Sequence, residues 1–450
     1  MKKVLVVGIA KSGISTLKIL KELGFSLTIN DIKTDESLKE ILLSINGLYD
    51  EKILGRHPNL SEIKDCGTMI LSPGVPTDLE FIVKAKENNI DVIGEIELAY
   101  RLSLSKHFIG ITGTNGKTTT TALVGEIFEN AHKKAYVVGN IGVPAISVAL
   151  SCKKDDYLIT ELSSFQLESI SSFSAHIAAI LNITPDHLNR HKTMKNYIDA
   201  KSNVFLNQSK NDILVLNYDN LITRKIALNV SSNVKFFSLK EKVNDGVFLD
   251  GNIIVIKSKG KTMHVMDKND IFILGEHNLE NAMAAILISY YSGIGLDVIR
   301  YTLKTFKGVE HRIEFVDKIN GVSYYNDSKG TNPDASIKAI QAMKGKTFLI
   351  AGGMDKKSEF DDFIKSFDDK VKELILFGET KNIIALAAKK NEFTNYIIVD
   401  TLKEAIEESF KKASKGENVL LSPACASWDM YKSYEHRGKE FKEIVSNLRG

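Results

Sequence analysis

The stretch Gly110-Ile-Thr-Gly-Thr-Asn-Gly-Lys-Thr-Thr-Thr120 decides the fold of this 450-residue chain. It follows an apolar run, His107-Phe-Ile-Gly-Ile111, that reads as a buried strand, and it opens a helical pattern from Thr118 to Asn130. Strand, glycine loop and helix in that order are what a phosphate cradle needs. Glycines let backbone N–H groups turn inward toward an anion, and the helix N-terminus adds partial positive charge. In such a cradle Lys117 reaches the β- and γ-phosphates and the Thr118 hydroxyl holds Mg²⁺. The loop departs from the strict pattern G-x-x-x-x-G-K-[ST]. Ile111 stands where the first glycine belongs, and the glycines are Gly110, Gly113 and Gly116. The bland alternative is a glycine-rich turn with a chance lysine, and the fit of both flanks weighs against it.

Upstream, Val4–Val7 reads as a buried strand and Gly8-Ile-Ala-Lys-Ser-Gly13 as a tight turn. A helix follows, with Ile14, Leu17 and Leu20 on one face, ending at Gly24. A second strand, Leu27–Ile29, runs into Asn30-Asp31. A βαβ unit with an acidic residue roughly twenty positions after its glycine turn is the pattern of dinucleotide-binding domains. A plain α/β unit with a packing turn explains this segment equally well. Met69-Ile-Leu-Ser-Pro-Gly74 is a further strand entering a loop, and it would end at the same sheet edge. Ligands of open α/β sheets bind at that edge.

Downstream, strands are expected at Ala135–Val138, Tyr157–Thr160, Ile177–Ile183 and Ile213–Leu216. Helices are expected at Met194–Leu206 and Asn278–Tyr291. The segment Val234–Val265 alternates as strands do and contains the hairpin turn Leu249-Asp-Gly-Asn252. Further strands are expected at Ile313–Val316, Thr347–Ile350, Leu374–Phe377, Tyr396–Val399 and Asn418–Leu421, and a last helix at Trp428–Leu448. Strands alternating with helices predict mostly parallel sheets covered on both faces. The fold class is therefore α/β in three domains: residues 1–95, 96–307 and 308–450. The first and third read as Rossmann-like, and the second as a P-loop mononucleotide-binding domain.

Composition sets outer bounds. The chain is 43% hydrophobic and 26% charged with seven prolines, an ordinary globular balance. A net charge of +3 is too small to argue for nucleic acid or an anionic membrane. Cys66, Cys152 and Cys425 form neither a Cys-x-x-Cys pair nor a disulfide framework, and buried thiols in a reducing compartment are the expectation. Lys11 interrupts the first apolar run too early for a signal peptide, and no run approaches the ~18 apolar residues of a membrane helix. The expectation is a cytoplasmic monomer.

Several polar clusters sit where chemistry is expected. Tyr157-Leu-Ile-Thr-Glu161 places a carboxylate at a strand end, where a P-loop domain faces its metal. Glu161 is preferred to Glu168, which reads as a helix-surface charge. His187, in Pro185-Asp-His-Leu-Asn-Arg-His191, lies just beyond another strand and can serve as a metal ligand; Asp186 and His191 stay open. Lys201 by itself reads as an exposed helix lysine. Asn278, where a helix opens, suits capping as well as ligand contact.

The loop Gly113-Thr-Asn-Gly-Lys-Thr-Thr119 resembles the nucleotide loop of the Mur ligases and folylpolyglutamate synthetases. Glu161-Leu-Ser-Ser-Phe-Gln-Leu-Glu168, Asp186-His-Leu-Asn-Arg-His191, Asn326-Asp-Ser-Lys-Gly-Thr-Asn-Pro333 and Ser422-Pro-Ala-Cys-Ala-Ser427 with Tyr434 extend the resemblance to the Mur ligase family over all three domains. Within it, the first and last of these runs are most similar to the branch that adds D-glutamate. The resemblance implies ATP-dependent amide formation between UDP-N-acetylmuramoyl-L-alanine and D-glutamate, through an acyl phosphate, in peptidoglycan precursor synthesis. It implies that Ser12, Gly13, Asp31, Ser72, Pro73 and Gly74 line the UDP site. ATP contacts would come from Gly113, Thr114, Asn115, Gly116, Lys117, Thr118 and Thr119, with Asn278 at adenine, Arg312 at phosphate and Asp327 at ribose. Two Mg²⁺ ions would be held by Thr118, Glu161, His187 and a carbamylated Lys201, with Asn140 beside the reacting carboxylate. D-Glutamate would meet Lys329, Thr331, Lys356, Ser427 and Tyr434. Gly330 stands where many relatives have Ala, Tyr434 replaces the Phe of some, and Trp428 occupies a variable position. Two other readings remain: a sibling ligase for another amino acid or for folate, and a nucleotide-driven switch or motor.

Overall fold

The computed structural model describes residues 3–449. Its backbone forms three sheets. The first has five parallel strands in the order Glu51–Leu54, Ser26–Asp31, Lys3–Val7, Cys66–Leu71, Asp91–Gly94. Buried runs such as Val4–Val7 have both faces covered, so the strands read as continuous apolar stretches rather than as alternation. The strands Glu51–Leu54 and Asp91–Gly94 were not expected, because each is four residues long and begins with an acidic residue.

The second sheet has nine strands. One end of it runs Ile177–Ile180, His107–Thr112, Tyr157–Glu161 and, at the edge, Ala135–Gly139, all parallel. At the other end it continues through Ile213–Asn217, Asn233–Ser238 and Gly246–Asp250, then turns antiparallel through Ile253–Ser258 and Lys261–Asp267. The hairpin forms at Gly251-Asn252, where Gly251 takes φ +63°.

The third sheet places Val322–Asn326, Asn418–Leu421, Thr347–Ala351, Val371–Leu376 and Tyr396–Ile398 side by side in parallel, with Glu314–Ile319 antiparallel at one edge. The α/β architecture with mostly parallel sheets, the first and third Rossmann-like, is the one the sequence predicts.

The chain divides into two compact units: residues up to Asp270 with Glu280–Leu303, and Ile271–Leu279 with Lys304 onward. The first unit holds the first two sheets, so they share one core. In it Leu17, Ile96, Ala145, Ile146 and Leu162 are all buried together.

Local chemistry moves some element ends. Ile177–Ile180 stops short of Ile183, because the following residues turn to hold the glycine loop. The expected Met194–Leu206 helix is α only to Ser202 and then tightens to a 3₁₀ turn over Asn203–Phe205. The last helix is Tyr434–Asn447, not Trp428–Leu448. Ser433 caps it by accepting the His436 N–H, and the cap overrides the apolar pattern upstream. Among the described residues no helix is long and apolar enough to cross a membrane.

Candidate functional site

In the first unit, the loops after four neighbouring strands converge on the C-terminal edge of the central sheet. Gly116 takes φ +85° and caps the helix Lys117–Asn130, a conformation glycine adopts without strain. A Cβ at Gly116 would lie 2.2 Å from Asn281 Oδ1, so the loop also depends on a close neighbour from the helix Glu276–Tyr291. The loop is laced to the segment after Ile180. Thr114 N–H donates to Asn182 O (2.9 Å), Asn115 N–H to Asn182 Oδ1 (2.8 Å), and Thr184 N–H to Thr114 Oγ1 (3.0 Å). Lys117 Nζ folds back onto Gly113 O and Thr114 O, both at 2.9 Å.

Lys201 is the site's least expected member by residue chemistry. It is 2% exposed, not a surface lysine, and its Nζ donates to Gly113 O at 2.8 Å. Burial, followed by the nearby charge of Lys117, pulls its pKa down to about 7 against the opposing pull of Asp186. A lysine in that state exposes a neutral, nucleophilic amine at ordinary pH. Tyr197, which sequence reasoning passed over, packs under it with the ring centroid 4.7 Å from Nζ and its hydroxyl 3.1 Å from Thr114 Oγ1.

Glu161 ends its strand 1% exposed. Asn140 Nδ2 donates to Oε1 at 2.8 Å, while Oε2 is buried without a hydrogen-bond partner. A buried carboxylate oxygen left open is costly unless a cation or proton meets it. This donor set suits a hard cation such as Mg²⁺, which keeps few protein ligands and shares the rest with phosphate and water. Among the described residues no three of His, Cys, Asp and Glu form a ready-made cation cage.

His187 takes φ +52° at the start of the short helix Leu188–His191, half exposed, with Asp186 Oδ1 accepting its backbone N–H at 2.8 Å. His191 is different in kind. It is buried, stacked on Phe165, and bonded to Ser164 Oγ (2.9 Å) and Glu168 Oε1 (3.2 Å). Burial lowers its pKa, and it serves packing. Glu168 is not a surface charge. It is largely buried and ion-paired with Arg190 at 2.8 Å. Arg190 NH2 also donates to Val75 O (3.0 Å) and NH1 to Gly74 O (3.4 Å), tying the histidine loop to the Ser72–Gly74 loop.

At the edge of the first sheet, Ser12, Gly13, Asp31 and Ser72 come together. Ser72 Oγ donates to Gly8 O at 2.6 Å, and Ser12 Oγ lies 3.4 Å from it. A Cβ on Gly13 would sit 2.1 Å from Gly8 O, so only glycine fits. Asp31 accepts the N–H groups of Ile9 (3.1 Å) and Lys33 (3.0 Å). Pro73 and Gly74 form the turn closed by Val75 N–H on Ser72 O. Lys11 leaves this turn to donate to Gly142 O, on the loop that carries Asn140.

In the second unit, the loops after Val322–Asn326, Asn418–Leu421 and Thr347–Ala351 lie side by side, because those strands are neighbours. They carry Lys329 and Thr331, Ser427, and Lys356 respectively. Ser427 is 2% exposed, and Lys329 Nζ stands 5.6 Å from the Tyr434 ring. Burial raises the Tyr434 phenol to about 12, so it stays protonated. Asp327 is buried with both oxygens engaged, Oδ2 by Ser422 Oγ (2.7 Å) and Oδ1 by Ile313 N–H (3.2 Å). Burial pushes its pKa up to about 7. It organises this loop and does not offer an open carboxylate to a ribose. Arg312 sits between His311 and Ile313, both at positive φ, and its Nε is buried without a partner. Asn278 is the third residue of its helix, and its side chain donates to Leu274 O at 2.7 Å, so it is no N-cap.

Arg437, to which sequence reasoning gave no role, is fully buried. It donates to Ser328 Oγ (3.0 Å), Ser328 O (2.9 Å), Cys425 O (3.1 Å) and Ala426 O (3.3 Å), clamping two of the three loops. Nothing local in Glu435-His-Arg437 announces this burial. All three cysteines are free and buried.

Three comparisons bear on this arrangement. The chain matches the Mur ligase MurD-like N-terminal domain over residues 2–94, the Mur ligase middle domain over 111–289, and the Mur ligase glutamate ligase domain over 311–425. It is 52% identical over 450 residues to a UDP-N-acetylmuramoylalanine--D-glutamate ligase of Alkaliphilus oremlandii, covering 100% of this chain and 99% of that one. It is likewise 52% identical over 449 residues to the protein of that name from Clostridioides difficile, with the same coverage. Among solved structures, UDP-N-acetylmuramate-alanine ligase MurC from Thermotoga maritima superposes over the whole of both chains with a TM-score of 0.59 at 18% identity. A UDP-N-acetylmuramoyl-L-alanyl-D-glutamate--2,6-diaminopimelate ligase gives 0.59 at 18% identity, over 85% of this chain and 92% of that one. At such identities these two report on fold alone.

Proposed function

The chain belongs to the Mur ligase family, and on that footing we infer that it is an ATP-dependent ligase joining D-glutamate to UDP-N-acetylmuramoyl-L-alanine. A carboxylate is a poor electrophile. Phosphoryl transfer from ATP to the alanine carboxylate gives an acyl phosphate and ADP; attack by the neutral amine of D-glutamate then expels phosphate and leaves the amide. The protein's part is positioning and charge neutralisation.

The observation that carries this reading is the pairing of Lys201 with Gly113 inside the glycine loop's own shell. A neutral buried amine can add CO₂ and lose a proton, becoming a carbamate; that replaces a cation by an anionic oxygen donor next to the phosphate cradle. We assign Thr118, Glu161, His187 and carbamylated Lys201 to two Mg²⁺ ions, which would neutralise phosphate oxygens when bound. The open Oε2 of Glu161 supports that assignment. Lys117 and the loop from Gly113 to Thr119 are assigned to the ATP phosphates, Arg312 to phosphate through its open Nε, Asn278 to the base, and Asn140 to the reacting carboxylate. Ser12, Gly13, Asp31 and Ser72–Gly74 are assigned to UDP. Residues 1–95, 96–307 and 308–450 are the corresponding domains in this proposal. Asp327 acts by holding the loop that bears Lys329 and the backbone beside Arg312.

Lys329, Thr331, Lys356, Ser427 and Tyr434 are assigned to D-glutamate. The rival, a basic amino acid, needs an open carboxylate for its distal ammonium. Of the two nearby candidates, Asp355 accepts the Lys357 N–H on Oδ1 at 2.6 Å and Asp429 accepts the Glu379 N–H on Oδ2 at 3.0 Å, so one oxygen of each is committed to holding its own loop. Phosphate release from ATP with UDP-N-acetylmuramoyl-L-alanine and a panel of amino acids tests the reading. D-Glutamate should support turnover and L-glutamate little, since the opposite hand moves the amine off the acyl carbon. A preference for lysine or diaminopimelate, or ATP turnover indifferent to both substrates, would sink it.

A further inference from the structure

Trp428 is the only tryptophan in the chain. It follows Ser427 directly, yet Ser427 is 2% exposed and Trp428 is 64% exposed. A single exposed aromatic ring means nothing by itself. Here the ring has a partner: Lys356 Nζ stands 4.9 Å from its centroid, inside the ~6 Å range of a cation–π contact.

The two loops that make this contact are fixed to each other. Met354 N–H donates to Ala426 O at 2.9 Å, and Gly352 N–H to Pro423 O at 2.9 Å. Gly353, at φ +146°, has no room for a Cβ, which would lie 2.2 Å from Ala426 O. Beyond the tryptophan, Asp429 pins the loop again through the Glu379 N–H. The indole is thus carried on anchored backbone, and the long side chain of Lys356 is the adjustable member. Among the described residues no carboxylate forms an ion pair with Lys356; its ammonium rests on an aromatic face instead.

We propose that Trp428 is a positioning and specificity residue for the incoming amino acid: its ring holds the Lys356 ammonium in place, unneutralised, for the side-chain carboxylate of an acidic amino acid. This rests on the assignment of Lys356 to D-glutamate. A lysine stem ordered before binding loses less rotamer freedom when its partner arrives. The cation–π contact at an exposed site is weak, so a carboxylate can take the ammonium over. A protein carboxylate in the same place would compete with the substrate, and an indole does not.

The test is steady-state kinetics on the full-length enzyme with ATP, Mg²⁺ and UDP-N-acetylmuramoyl-L-alanine. Trp428→Leu keeps apolar bulk but removes the π face. Its KM for D-glutamate should rise about two- to fivefold, the range an exposed cation–π contact supports, and clearly more than the KM for ATP moves. Trp428→Phe should fall between it and the parent. In a Lys356→Ala background, Trp428→Leu should add nothing, because the pair acts as one unit. The lone tryptophan also reports directly. With UDP-substrate and a non-hydrolysable ATP analogue present, D-glutamate should change its emission saturably and L-lysine should not. A KM in Trp428→Leu equal to the parent's, or effects that multiply in the double variant, overturns the proposal. Failure of the parent enzyme to use D-glutamate would overturn the assignment of Lys356 itself, and it would show before any variant is made.

Discussion

At the scale of single residues, the site is built from groups held away from their ordinary state. Lys117 lies along the glycine loop with its ammonium on two backbone carbonyls, where it is placed rather than searching. Lys117→Ala should lower kcat by about 10²–10³ while circular dichroism stays that of the parent, the usual cost of one preorganised charge-stabilising donor. Turnover within about threefold of the parent would contradict the role given to the loop. Lys201 is held close to neutrality by burial and by Lys117. Lys201→Ala should be inactive, and acetate or propionate should restore part of the rate by supplying the lost oxygen donor. Full activity without additive would show that no carbamate is needed.

At the scale of elements, the helix Glu95–Leu102 joins the first two sheets and is anchored by two carboxylates of its first turn, Glu95 and Glu97. Glu97 accepts the N–H groups of Ser171, Ser172 and Phe173, together with the Ser172 hydroxyl. Burial alone would raise its pKa; the Ser172 hydroxyl, these N–H groups and Arg101 bring it down to about 2 instead. Glu95 accepts the Ile146 N–H at 2.7 Å on the segment following Asn140, but burial dominates and its pKa rises to about 7. The native state therefore keeps a proton that the unfolded chain gives up near pH 4.5. Between pH 4.5 and about 7 the native state binds more protons, so this group's contribution to stability falls as pH rises. Glu95→Gln retains the acceptor and removes the titration. Its melting temperature relative to the parent should climb across that window and level off above about pH 7; parallel curves for the two proteins would refute it.

At the scale of the whole molecule, the proposed assignments give the three sheets three separable recognition tasks. Gly13→Ala drives a Cβ onto Gly8 O in the first sheet's turn. It should raise the KM for the UDP-substrate and spare that for D-glutamate. Lys356→Ala should do the reverse. Because the two residues belong to different compact units and share no hydrogen-bond partner, their effects on kcat/KM should multiply in the double variant. A marked departure from multiplication would show that the two tasks are coupled.

The glycine loop, the strand-end position of Glu161, the turn at Gly8–Gly13 and the positions of most parallel strands were legible in the sequence because each rests on consecutive residues. A positive φ needs glycine at one position, and a buried strand needs an unbroken apolar run. Tertiary structure alone decided the rest. It buried Lys201 against Gly113, 88 positions away, and so changed its chemistry. It also paired Arg190 with Gly74 and Val75, packed Asn281 on Gly116, sank Arg437 among carbonyls, engaged both oxygens of Asp327, and laid Lys356 across Trp428. The reason is that desolvation and proximity are properties of the folded surroundings. No local pattern encodes which distant backbone carbonyl a lysine will meet, or how much water will be left around it when it does.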